Sequence, residues 1–146
     1  MAETLGMLCD KLTIVKLKQY HTEDAARQES LASQEKMLLS EIDEFVDQAI
    51  SGNIPVEKLS FAANKVFKAE GNEVKGILGS MGNVFAQLAD VNCKLWHEQE
   101  KVYDFEKVPV AEKDQVVKSL AVLNLERNMC IDEINRQLIE IVKTKN

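Results

Sequence analysis

Two histidines, a single tryptophan and a few polar residues set into apolar stripes are where the types and spacing of side chains in this sequence could do chemistry. His21 with Asp24, and His97 with Glu100, are each spaced i, i+3, which places each pair on one helix face. Duplicated pairs of this kind could converge on a divalent ion, as a metal-dependent phosphohydrolase would require. The order argues against that use. Di-iron bundles carry Glu-x-x-His with further inward Glu residues, whereas here the acid follows the histidine. Glu41 and Glu44 supply an ExxE pair suited to magnesium, but no ExxD follows on the next helix. No local motif marks a nucleophile, so catalytic residues stay unassigned, and neither a metal nor a cofactor is implied.

The last helical stretch carries the more informative pattern. Val117, Leu120, Asn124, Arg127, Ile131, Ile134, Leu138 and Ile141 step by three and four, so Asn124 and Arg127 interrupt an aliphatic seam. A competing seam through Val116, Leu120, Leu123, Arg127, Cys130 and Ile134 also includes Arg127, which is therefore inward in either register. An unpaired buried guanidinium costs several kcal/mol, so an anion must face it. Glu98, on the third helix's seam of Val84, Leu88, Val91, Leu95 and Val102, is the expected structural partner. The functional alternative is an anionic ligand held by Arg127, since the planar fork of arginine suits phosphate and carboxylate.

Other polar groups extend that expectation. Asn124 and Asn128 would orient such a ligand, Lys18 or Lys94 would neutralise it, and Tyr20 or Trp96 would stack on a ring. His21 continues a stripe of Met7, Ile14 and Leu17, so it is expected to be at least half buried. His97 shares a solvated face with Asp90, Lys94 and Lys101. These residues, with Glu98, define a polar pocket between helices for a phosphorylated, nucleotide-like or sugar-phosphate molecule. A homo-oligomer is expected in either case, and the competing class is a structural protein that acts by helix-helix homo-oligomerisation. It is suggested by Trp96, Phe85, Ala89 and Tyr103, which form a second apolar stripe on a helix that already has one.

Composition limits the partners. With 24 acidic against 18 basic residues the formal charge is −6, which disfavours binding to nucleic acid or an anionic membrane. No apolar run long enough to span a bilayer and no basic leader is visible, and Cys9, Cys93 and Cys130 lack CxxC or zinc spacing. A cytoplasmic protein with buried free thiols is expected.

The elements that position these residues are all helices. Leu, Lys, Glu, Gln and Ala dominate, and period-two alternation is missing. Apolar spacing predicts helix from about Thr4 to Ile50, either continuous or bent where residues 22–30 thin to Ala25 and Ala26. Pro55 opens a short helix to about Lys68, and the glycines between Gly71 and Gly82 predict a loop. Helices follow from Gly82 to Glu106 and from Pro109 to Thr144. The expectation is one domain over residues 1–146, an antiparallel bundle of about four long helices and one short one.

Two αα-hairpins related by duplication fit this order. Val15 to Asp24 lies over Val91 to Glu100, and Ile42 to Phe45 lies over Ile131 to Ile134, at offsets of 76 and 89 residues. The second half would then carry 13 extra residues around Asp104 to Val116. Three stretches, Leu5-Gly6-x-Leu8-x-Asp10-Lys11-Leu12, Leu95-Trp96-His97-Glu98 and Arg127-Asn128-x-x-Ile131-Asp132, resemble a family of small bacterial helical proteins classed as a domain of unknown function. The resemblance implies an all-helical fold and a role for those residues, without a reaction. Gln99, where an acid is usual, and Tyr20, where Trp is frequent, depart from the family pattern.

Overall fold

A computed structural model describes residues 2–61, 77 and 79–145. It holds four long helices, α1 (Leu5–His21), α2 (Ala25–Ser51), α3 (Met81–Tyr103) and α4 (Val110–Lys145), and among the described residues there is no strand. Single 3-10 turns at Val56–Lys58 and Phe105–Lys107 lie in the connections. Where a short helix was expected after Pro55, the described residues form only this first turn. The remainder of that helix, and the glycines at 71 and 76, lie outside them.

The stretch expected to be helical from Thr4 to Ile50 folds back on itself as a hairpin. Helix α1 ends at His21, and Asp24 opens α2 by accepting a hydrogen bond on Oδ1 from the Arg27 N–H at 3.0 Å. Gln28 secures the turn, its Nε2 donating to the carbonyls of Gln19 and Thr22 at 2.7 and 2.9 Å. Those carbonyls sit where α1 runs out of intrahelical donors. The helices then run antiparallel, with Lys16 and Gln19 both donating to Glu35 across the pair. These bonds, Gln19 first and then Lys16, hold the Glu35 carboxyl below its ordinary range. Helix α2 stops at Gly52, whose φ of +82° is a left-handed conformation that glycine adopts without a side-chain penalty.

Helix α1 is the hub. It packs on α2, α3 and α4, and its sides divide the work. Leu5, Leu8 and Val15 are buried in the apolar core with Phe45, Ala49, Val84, Leu88, Ile134, Leu138 and Val142. Gly6, Cys9, Asp10 and Thr13 form a second buried strip of small and polar residues. At Gly6 a Cβ would fall on the Ile131 backbone carbonyl and lie 2.9 Å from Ile131 Cγ2. Only glycine admits α4 this closely. The Gly6 N–H, which has no partner within the first turn of α1, donates to Asn135 Oδ1 at 2.8 Å.

The second hairpin is longer than the first. Between Asn92 and Cys130, Val116 alone is buried. The extra residues that separate the two halves in sequence therefore lengthen both arms of α3 and α4 past the end of α1, in addition to forming their turn. Matched positions keep similar burial, since Phe45 and Ile134 are both in the core. The competing seam of α4 is inward at Val116 where Val117 is exposed, and from Cys130 onward residues of both seams are buried, Cys130 and Ile134 together with Ile131 and Leu138. Two of the three cysteines, Cys9 and Cys130, are buried as expected, and Cys93 is only half buried.

Candidate functional site

Arg127 is inward and paired, but its partner is Asp10 rather than Glu98. Arg127 Nε donates to Asp10 Oδ1 at 2.9 Å and its terminal nitrogen to Oδ2 at 2.5 Å, a two-point clamp between α4 and α1. Asn92 of α3 adds a third bond to Asp10, Nδ2 to Oδ1 at 2.9 Å, and also donates to Thr13 Oγ1 at 2.7 Å. Thr13 closes the network by donating to the Asp10 carbonyl at 2.7 Å. The bond from Asp10 raises the Arg127 pKa further, so the guanidinium keeps its charge. Glu98 instead accepts from Lys101 one turn along α3 at 2.9 Å, because it sits where the seam has already lost its cover.

This network joins three helices at one level. Asp10 is 4% exposed, and no buried side-chain polar atom among the described residues lacks a partner. Arg127 thus has its charge balanced within the protein. A free ligand anion would have to compete with a carboxylate already held at two points.

The expected site residues separate into three places. Lys18, His21 and Trp96 line a pocket of about 470 Å³ where the end of α1 meets the start of α2 and the middle of α3. Lys94, His97 and Glu98 line an open cleft between α3 and α4. Arg127 and Asn128 line a cleft of about 600 Å³ between α1, α2 and α4, which Lys18 also borders. Asn124 is exposed and lines none of the three, contrary to its expected inward place, because at this level of α4 the half-buried Leu123 is turned inward instead. Tyr20 is 85% exposed and meets His21 edge-on, so it does not wall the pocket.

The two histidine segments do come together. His21 stacks on Trp96 with ring centroids 4.8 Å apart and planes within 8°, and His97 meets His21 edge-on at 6.1 Å. Contrary to expectation His21 is exposed, since α1 ends there and no further turn covers it. The paired acids are engaged elsewhere. Asp24 caps α2, and Glu100 accepts from Trp96 Nε1 at 2.8 Å through one oxygen while the other stands 4.0 Å from His97 Nδ1. Among the described residues no three His, Cys, Asp or Glu side chains converge to hold a metal ion.

The pocket beside Trp96 has the clearest chemical character. Lys18 and Arg27 supply two cations, Thr22, Ser30 and Gln34 supply hydroxyl and amide groups, and Leu31 with Trp96 forms an apolar wall. Among the described residues none that lines it is acidic, in a chain with six more acids than bases. Neither the Lys18 nor the Arg27 side chain makes an ion pair among the described residues. Arg27 went unnoticed in the sequence because it lies in the stretch where apolar spacing fades. Its link to Lys18 depends on the fold-back at Thr22-Glu23-Asp24, which brings residues nine apart in sequence to one pocket.

These features belong to an up-down-up-down bundle of two αα-hairpins with a basic pocket at the turn of the first. Set against known proteins, the chain matches no family model, no curated protein and no solved structure. No helix among the described residues is long and apolar enough to cross a membrane.

Proposed function

We propose that this protein binds a small phosphorylated or carboxylated molecule in the pocket formed by Lys18, His21, Arg27 and Trp96. The observation that carries the reading is a lining whose described residues include no acid and whose two side-chain cations make no ion pair among the described residues. Two exposed cations held on neighbouring helices repel each other modestly, and a bound anion relieves that repulsion while gaining charge-assisted hydrogen bonds. The volume, about 470 Å³, lies within the range of small-molecule sites. Asn128 and Arg127 border the adjoining cleft. Arg127 acts there through Asp10, as the clamp that fixes α1 and hence Lys18.

Native mass spectrometry of the purified protein, followed by denaturation and mass analysis of any released molecule, tests the proposal. An anion at one equivalent, lost in a Lys18→Ala/Arg27→Ala variant that keeps its helical spectrum, is the expected outcome. Isothermal titration with inorganic pyrophosphate provides the second arm, with at least a tenfold weaker affinity expected in the variant. A protein that carries no anion and takes up no pyrophosphate would overturn the reading.

A second reading, homo-oligomerisation, is favoured by the long arm of α3 and α4. Val110 and Val117 are 84% and 58% exposed there, and Leu120, Val122, Leu123 and Leu125 are only half covered. A second copy of the same arm would complete a four-helix unit. Light scattering expects a dimer that Val117→Lys weakens, and a monomer at 100 μM would exclude this reading.

A further inference from the structure

The basic pocket does not end at Lys18. The cleft between α1, α2 and α4 shares Lys18 and Gln34 with it, so the two adjoin end to end along α1. Beyond Lys18 the character changes from basic to apolar: the walls are Ile14, Val15, Met37, Leu38, Ile131 and Met7. From Lys18 to Met7 the groove follows α1 for ~16 Å at about 1.5 Å per residue. Of its charged neighbours, Asp10 pairs with Arg127 and Glu3 with Lys11, while Glu41 borders the end away from Lys18.

We infer that the ligand of this groove is a single-chain amphiphile, an anionic phosphate or carboxylate head on Lys18 and Arg27 with an aliphatic tail along Ile14, Met37 and Ile131. The inference rests on the anion-binding proposal and specifies the class of molecule. Three observations on the groove select this occupant. Lys18 and Arg27, the lining cations that make no ion pair among the described residues, stand at one end, whereas Lys11 and Arg127 farther along are paired with Glu3 and Asp10, which matches a molecule charged at one end only. The cleft itself is about 600 Å³, a size suited to a flexible chain. His21, meanwhile, already covers one face of Trp96, which leaves less of that ring for a nucleobase. Met7 and Met37 are unbranched and adaptable, the kind of side chain that accommodates tails of different length. Met37 is 62% exposed although it faces apolar neighbours, as expected of a wall that a ligand would cover.

Trp96 is the only tryptophan and lines the head pocket, so its fluorescence reports occupancy directly. The probes are butyl, hexyl, octyl and decyl phosphate, each below its micelle-forming concentration, titrated into the intact protein. A half-open groove recovers about half of the full transfer free energy of each methylene, so affinity is expected to rise roughly twofold per carbon and about sixteenfold from butyl to octyl. Met37→Glu, at an exposed α2 position, is expected to flatten that rise to under threefold while the butyl phosphate response persists. A flat series in the wild-type protein, with butyl phosphate still bound and lost in Lys18→Ala/Arg27→Ala, overturns the amphiphile and leaves the anion site standing. A steep series that survives Met37→Glu removes the tail from this groove. No response to any alkyl phosphate overturns both the amphiphile and the anion site.

Discussion

Replacing Arg127 by Met removes one side of a clamp whose other side cannot adjust. Asp10 is 4% exposed and would keep only the Asn92 bond to its side chain. Breaking a buried ion pair by deleting one partner costs ~3–5 kcal/mol, because the remaining charge stays desolvated. Here the Arg127 side chain is 32% exposed, so water from the adjoining cleft can reach the vacated position and reduce the loss. The expected destabilisation is about 2–3 kcal/mol, equivalent to a melting point lower by ~7–10 °C for a chain of this size. Urea denaturation followed by circular dichroism measures it. The pair is then tested in a double-mutant cycle with Asp10→Asn, which retains an acceptor for Asn92 but carries no charge. In that background Arg127→Met is expected to cost at least ~1 kcal/mol less than it does alone. Additivity within about 0.5 kcal/mol, or a single variant as stable as the parent, would refute the claim that the Asp10 charge is what requires Arg127.

Two further outcomes follow from the packing. Gly6→Ala drives a methyl group into the Ile131 carbonyl and disturbs the Asn135 bond, so a net loss of about 1–3 kcal/mol is expected despite the better helix propensity of alanine. A Gly6→Ala protein at least as stable as the parent by urea melting would show that α1 and α4 separate at no cost. Burial, reinforced by neighbouring acids, pushes the Cys9 and Cys130 thiols up to about 11, so neither forms appreciable thiolate at pH 8. A disulfide reagent at that pH is expected to modify the half-buried Cys93 first, with the other two reacting only after denaturation. Three thiols of equal rate in the native protein would contradict the buried placement.

How much of this could be read in advance depended on whether a feature was local to one helix. The helices themselves and the end of α2 at Gly52 follow from apolar spacing and glycine chemistry within short windows. The inward placement of Arg127 followed because both registers of α4 agreed on it. Its partner did not follow, since the choice between Asp10 and Glu98 depends on how deep α1 sits against α4. That depth is set by the close approach at Gly6. A signal was present: Gly6, Asp10 and Thr13 recur at three- and four-residue spacing and mark a small, polar stripe beside the Leu5, Leu8 and Val15 stripe. The exposure of His21 was missed for a related reason. The stripe through Ile14 and Leu17 predicts burial only while the helix continues beneath a neighbour, and α1 stops at that residue.

Helix α4 is unbroken for 36 residues, yet its two ends belong to different cooperative units. From Cys130 to Val142 its amides are locked into the common core, and their hydrogen exchange should proceed only through global unfolding. Between Val116 and Cys130 no side chain is buried, so the amides of that half can exchange through fraying of the arm alone. A single helix would then display a gradient of protection along its axis. In the unliganded chain the step in that gradient should fall at Arg127, where the last tie to α1 is made.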